Sequence, residues 1–154
     1  MNWDEYYMEI AWTVSKKSKD PSTKVGCVLT TADNEPISFG YNGFIKGIDE
    51  SYMTFEKPAK DLLSIHAEMN AILFAKRSLK DCKAYVTHAS CENCLKHLAQ
   101  AGIKEIIYDR FDTNGHFMTD ERVDIITRIL KGTNIICRNI NGKTFFEDVA
   151  ERNK

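Results

Sequence analysis

The sequence predicts an α/β fold, a mixed five-stranded sheet covered by helices. Two short apolar runs, Val25 to Thr31 and Pro36 to Tyr41, flank the turn residues Asp33, Asn34 and Glu35 and read as a hairpin. From residue 66 onward, helical periodicity alternates with short strands, which calls for crossover connections. The chain has 154 residues, 43% of them apolar and 28% charged, enough for one domain with a buried core.

Each element has its own signal. Residues 3–17 carry Trp3, Tyr6, Tyr7, Ile10, Ala11 and Val14 at helical spacing. Asp20, Pro21 and Ser22 break that helix. After the hairpin, a loop from Asn42 to Leu62 is punctuated by Gly43, Gly47 and Pro58. It is longer than a connector needs, which suggests a functional segment. A helix is predicted from His66 to Arg77, then a strand from Ala84 to Thr87. A second helix, Cys91 to Ala101, is closed by Gly102. The strand Glu105 to Asp109, the helix Glu121 to Lys131 closed by Gly132, and the strand Asn134 to Ile140 complete the pattern. Asn141 and Gly142 make a turn. No repeat, linker or low-complexity tract divides residues 1–154, so they are expected to form one domain.

Charge and cysteine content narrow the function. The formal net charge is −1, and the lysines are scattered among acids, which argues against a polynucleotide partner. A small anion needs only local cations. No stretch approaches the roughly 20 apolar residues of a membrane span, and the N-terminus lacks a signal-peptide pattern. A cytoplasmic location is expected, where the five cysteines are thiols or metal ligands rather than disulfides.

His66, Ala67 and Glu68 open one predicted helix, and Cys91 to Cys94 open the next. Two cysteines three apart at a helix start can aim both sulfurs at one centre, and a histidine from a neighbouring helix start supplies a third donor. Three protein ligands leave a fourth tetrahedral position for water, the mark of a catalytic zinc. Glu68 stands two residues past a ligand, within reach of that water, where a carboxylate can move protons. Taken singly, each part has a blander reading. Cys91 and Cys94 alone suit a redox pair or half of a structural site, and His66 alone suits a capping residue. Together the parts form the layout of zinc nucleobase deaminases, His-x-Glu followed by Cys-x-x-Cys. A structural site needs a fourth protein ligand. Cys82 and Cys137 are candidates, although both read as strand or strand-flanking residues, as Cys27 does.

At these motifs the chain resembles the deoxycytidylate deaminase branch of the cytidine deaminase-like superfamily. Ser18 to Gly26 matches the first-loop block, Gly40 to Phe44 with Gly47 the second, and His66 to Ile72 the zinc helix. The third block also occurs in tRNA adenosine deaminases and riboflavin-pathway deaminases; the first two point to the deoxycytidylate group. The resemblance covers roughly residues 5–140 and implies the three-layer cytidine deaminase-like fold. It implies one catalytic zinc per chain on His66, Cys91 and Cys94, with Glu68 as the proton carrier. It further implies hydrolysis of dCMP to dUMP and ammonia, supplying dUMP for thymidylate synthesis.

The substrate side follows from the same resemblance. Asn42 is expected to contact sugar or base; the alternative is a turn asparagine at an unusual φ. Ser22, Thr23 and Lys24 are expected at the phosphate, with a solvated loop lysine as the alternative. Ala67 and Ala89 are expected to line the base pocket, the Ala89 carbonyl meeting the cytosine amino group. Gly43, Phe44 and Gly47 persist in the loop that holds dCTP as activator or dTTP as inhibitor in many relatives, although the segment is shorter here. Residues 43–65 lack cysteine and histidine, so a second zinc in that loop is not expected. A homo-oligomer, usually a hexamer, is implied.

Two residues depart from the family pattern. Ser90 replaces the proline before the first cysteine and is expected to cap the helix instead. His88 stands where an apolar residue is usual and reads either as a core histidine or as a pocket residue. These departures leave open a 5-substituted dCMP as substrate, and dCTP stands as the alternative in phosphate count. A tRNA or single-stranded DNA substrate would need a basic groove with stacking aromatics, which the sequence lacks.

Overall fold

The computed structural model describes residues 1–154. Five strands form one sheet: β1 (Gly26–Thr30), β2 (Pro36–Tyr41), β3 (Lys83–His88), β4 (Glu105–Arg110) and β5 (Ile136–Asn139). Their order is β2-β1-β3-β4-β5. β1 runs antiparallel to both β2 and β3, whereas β3, β4 and β5 are mutually parallel. The helices are α1 (Trp3–Ser15), α2 (Ala59–Leu63), α3 (Ala67–Ala75), α4 (Glu92–Ala101), α5 (Asp120–Gly132) and α6 (Phe145–Arg152).

Strand alternation sorts the core into two layers. On one face Val28, Tyr85 and Ile107 pack against Tyr7, Met8 and Ala11 of α1. On the other, Leu29, Val86 and Ile106 pack with Ala71 of α3, Leu98 of α4 and Ile126 of α5. The sheet is thus sandwiched between α1 and a layer formed by α3, α4, α5 and α6, the three-layer fold the sequence predicts. The α1 start is fixed by Asn2, whose Oδ1 accepts the Glu5 amide at 2.8 Å.

The hairpin is formed as predicted, with Asn34 at φ 68° in the turn. Gly102 ends α4 at φ 104°. Gly132 does not play that part: it is the last helical residue, and the extended Thr133 ends α5. α3 stops two residues before the predicted Arg77, because Lys76 takes the left-handed conformation at φ 53°. The long loop is not bare: it holds a 3-10 turn at Glu50–Tyr52 and α2. α6 lies beyond the predicted elements, although Thr144 and Glu147 form a capping box at its start.

Two close approaches set the position of the site. A Cβ on Gly26 would lie 1.9 Å from the Ala11 carbonyl oxygen, and one on Gly40 would lie 2.2 Å from that of Ala67. Only glycine lets α1 and α3 lie this close to the sheet. Ser38 adds a hydrogen bond from its Oγ to the Ala71 carbonyl at 2.7 Å.

Gly40→Ala should therefore push α3 off β2, costing about 1–3 kcal/mol or more. Because Ala67 directly follows His66, metal affinity should fall with it. Urea unfolding and metal titration of the variant check both; parental stability would contradict this packing account.

Candidate active site

His66 and Cys91 are the N-cap residues of α3 and α4, and Cys94 lies in the first turn of α4. Helix starts are electropositive and favour thiolate over thiol. The donor atoms of His66, Cys91 and Cys94 all lie within 4.8 Å of one another. His66 Nδ1 is 3.2 Å from Cys94 Sγ and 3.6 Å from Cys91 Sγ. Tetrahedral zinc with bonds of about 2.0 Å to nitrogen and about 2.3 Å to sulfur spaces N and S roughly 3.5 Å apart. The donor set therefore fits zinc, and no fourth cysteine joins it: Cys82 and Cys137 lie outside the cluster.

The two sulfurs are not equivalent. Hydrogen bonding from Cys94 and then from His66 outweighs burial and holds the Cys91 thiol well below its ordinary pKa. Cys94 is pushed up by its hydrogen bond to Cys91 and by burial. Cys91 also caps α4, its Sγ accepting the Cys94 amide at 3.4 Å. This corrects the expected role of Ser90, which precedes the cap. The Ser90 hydroxyl is buried without a hydrogen-bond partner, near the Glu68 carboxyl, whose charged form it favours.

Glu68 is 4% exposed and sits at the second position of α3. Burial raises its pKa, with the Cys91 charge acting in the same direction. That shift moves the carboxyl toward the range in which it can both take and give a proton. Glu68 lines a cavity of about 620 Å³, together with His66, Ala67, Ala89 and Cys91. The Ala89 amide donates to the Arg110 carbonyl at 2.8 Å, while the Ala89 carbonyl accepts none of the chain's hydrogen bonds. A ligand's donor can take that position.

Asn42 also lines the cavity, but its amide serves the first loop. Its Oδ1 accepts the Val25 amide at 2.8 Å, and its Nδ2 donates to the Thr23 carbonyl at 2.9 Å. Its φ is not positive, so the turn-asparagine alternative is set aside. Of the three first-loop residues, only Thr23 reaches this cavity. Ser22, Thr23 and Lys24 instead border an adjoining lobe of about 210 Å³. Lys24 Nζ donates to the Ser18 carbonyl at 2.7 Å. Gly43 pairs with Ile65 through bonds of 3.1 and 2.7 Å, Phe44 packs on Phe55 at 4.9 Å, and Gly47 adopts φ 81°. None of these three loop residues lines the cavity.

Residues not singled out from sequence complete the walls. Lys60 of α2 and Asp20 of the first loop form a buried ion pair at 3.1 Å, 7% and 6% exposed. Asp20 Oδ1 also accepts the Ser22 and Thr23 amides at 2.8 and 3.1 Å. Arg122 pairs with Glu92 at 2.9 Å, and His116 and Phe117 close the cavity from the β4–α5 loop. Asp20 falls inside the first-loop block, but no local pattern marks Lys60, whose partner is 40 residues away.

This three-layer sheet, with a His-Cys-Cys donor set at two helix starts beside a buried glutamate, defines a cytidine deaminase-like protein. The family described as the cytidine and deoxycytidylate deaminase zinc-binding region matches residues 1–110, and the chain belongs to it. An uncharacterized deaminase in the luxG 3′ region of Aliivibrio fischeri is 44% identical over 104 residues, 68% of this chain and 70% of that one. Human deoxycytidylate deaminase is 34% identical over 115 residues, covering 70% of this chain. The matched segment spans 65% of the human protein's length. The dCMP deaminase of cyanophage S-TIM5, solved with dCMP and dUMP, superposes with a TM-score of 0.63 at 25% identity. That match covers 81% of this chain and 90% of the phage one. No helix is long and apolar enough to cross a membrane.

The Asp20–Lys60 pair yields a pH-dependent prediction. Backbone amides of Ser22 and Thr23, with Lys60, overcome the cost of burial and hold Asp20 below its ordinary pKa. The stability so gained is present above the unfolded carboxylate pKa and is lost as pH falls through the lower folded value. Lys60→Met should cost about 3 kcal/mol at pH 7, because it strands a buried carboxylate. The gap from the parent should close in acid as Asp20 protonates. Denaturation curves at pH 7 and pH 3 check this; a gap independent of pH would contradict it.

Proposed function

We propose that this chain, acting as one domain, catalyses the hydrolytic deamination of dCMP to dUMP and ammonia. The observation that carries the reading is the buried Glu68 lining one cavity with His66 and Cys91, two members of the donor cluster that Cys94 completes. The relatives named as deoxycytidylate deaminases and the phage structure bound to dCMP and dUMP support the choice of nucleotide. The product is the methyl acceptor of thymidylate synthesis, and the reducing cytoplasm suits the free thiols.

His66, Cys91 and Cys94 would hold one zinc ion per chain. Zinc bound there supplies Lewis acidity, which makes water a nucleophile at neutral pH. Glu68 takes a proton from the attacking water and passes it to N3 of the cytosine ring. It then carries the second proton to the departing amino group, which leaves as ammonia. The Ala89 carbonyl accepts from that amino group and orients C4. Ala67 packs beside the ring with too small a side chain to block it. Asn42 holds the first loop in place, and Ser22, Thr23 and Lys24 bring their polar groups to the phosphate end.

A homo-oligomer fits the exposed Phe39 and Tyr41 of the edge strand β2, 49% and 40% exposed. The loop of Gly43, Phe44 and Gly47 is the proposed place of a dCTP or dTTP effector.

Metal analysis should find about one zinc per purified chain, and Cys91→Ala should lose metal and stability together. Two tightly held ions per chain would contradict this ligand set.

Glu68→Gln keeps the size of the side chain but cannot shuttle protons. Turnover should fall by about 10⁴-fold, at the upper end for general acid–base groups, because several transfers depend on one carboxylate. Zinc content and folding should be unchanged. Near-parental kcat with intact zinc would falsify the mechanism.

A further inference from the structure

Ala89, Ser90 and Cys91 connect β3 to α4, and both ends of this connector are fixed. The Ala89 amide donates to the Arg110 carbonyl at 2.8 Å, and Cys91 caps α4 through its Sγ. Ser90 is therefore held between a residue of the cavity wall and a metal donor, with little freedom of its own. Its amide bonds no carbonyl of the chain, so the backbone requires no N–H at this place. What serine adds over the proline of the family pattern is the hydroxyl.

That hydroxyl is sealed from solvent and completes no hydrogen bond. A buried hydroxyl without a partner is costly, and its presence calls for a role. Its neighbour is the Glu68 carboxyl. Ser90 acts on that carboxyl as a side-chain hydrogen-bond donor, whereas His66 and Cys91 act on it through charge. The two groups are close enough for the hydroxyl to favour the charged carboxyl, yet their alignment falls short of a full bond. Hydrogen bonds in catalytic sites are often long or misaligned without substrate and tighten when it binds. The placement is also one-sided. Glu68 lines the cavity and Ser90 does not, so the hydroxyl meets the carboxyl from the sealed side.

Resting on the dCMP reading, we propose that Ser90 is a positioning residue for Glu68: its hydroxyl donates to one carboxyl oxygen and leaves the other free toward the cavity. An ionised carboxylate accepts at both oxygens, and a neutral carboxyl still accepts at its carbonyl oxygen. The serine bond therefore survives each proton movement of the reaction. It also decides where the proton sits, because the oxygen that accepts from Ser90 is not the one that carries it. The proton is kept on the cavity side, where water, ring N3 and the departing amine are met in turn. Anchoring one oxygen restrains a long side chain in the orientation the transfers need. Proline at this place has no donor and could not do the same.

The experiment removes the hydroxyl from the zinc-loaded protein and reads turnover, product binding and the carboxyl group separately. Ser90→Ala and Ser90→Pro should each lower kcat for dCMP by about 10- to 100-fold, as for a hydrogen bond to a charged group. Zinc content and dUMP affinity by calorimetry should be unchanged. Ser90→Thr, which keeps the hydroxyl, should retain most of the turnover. In a Glu68→Gln background, Ser90→Ala should cost no further activity, because the carboxylate it serves is gone. Infrared difference spectra against Glu68→Gln isolate the Glu68 carboxyl band, with and without dUMP, and Ser90→Ala should shift that band. Parental kcat in both Ser90→Ala and Ser90→Pro, or a band that does not move in either state, would overturn the role. Equal losses of kcat and dUMP affinity would also overturn it, since they mark a general distortion of the cavity. A parent protein inert toward dCMP would overturn the substrate reading instead, while the infrared band, which needs no turnover, still decides the contact between Ser90 and Glu68.

Discussion

Everything in this molecule that bears on chemistry depends on two helix starts meeting at one point. α3 and α4 flank β3 in the chain, one entering it and one leaving it. Their N-caps, His66 and Cys91, bring a ring nitrogen and two sulfurs within 4.8 Å. Neither helix supplies enough donors alone. Convergence requires α3 to lie flat on β2, and the missing side chain of Gly40 permits this. Once α3 is seated, Glu68 is carried one residue inside the helix, buried, with its carboxyl raised by the same burial. Metal site and proton carrier are thus fixed by a single backbone approach.

The second constraint is polar. The first loop has little regular structure, yet its amides are satisfied from elsewhere. Asn42 binds it from the end of β2, and Asp20 folds it upon itself. Lys60 then neutralises Asp20 from α2 across 40 residues of sequence. A buried ion pair adds little stability over an apolar substitute, but it punishes the loss of either member. Here it ties α2 of the long loop to the first loop at the cavity wall, so that the shape of the cavity depends on both segments being in place. Activity in such a site is sensitive to residues that touch no reacting atom.

Much of this was legible in the sequence, for physical reasons. The helix, hairpin and alternating elements were marked by periodicity and turn chemistry. The metal donors were marked by spacing, because a helix start permits only a few geometries for two cysteines three apart. What sequence could not provide was anything set by distant pairing. Lys60 resembles any surface lysine until Asp20 is seen beneath it. Ser90 looked like a cap, but the Cys91 thiol takes that place and leaves the serine hydroxyl unpaired. Lys24 was read as a phosphate residue or a solvated loop lysine; it borders the lobe adjoining the cavity, and Arg110, its companion there, carried no signal. His88 was read as either core or pocket, and it is both. α6 was missed although Thr144 and Glu147 marked its start.

The central claim is that one buried carboxylate beside a His-Cys-Cys cluster removes the amino group of a free cytosine nucleotide. The most direct measurement is ammonia release by the zinc-loaded protein from four compounds offered separately: dCMP, deoxycytidine, dCTP and a cytosine-containing single-stranded oligonucleotide. The account predicts fastest release from dCMP, with one dUMP formed for each ammonia. No release from dCMP, or faster release from the oligonucleotide, would contradict it.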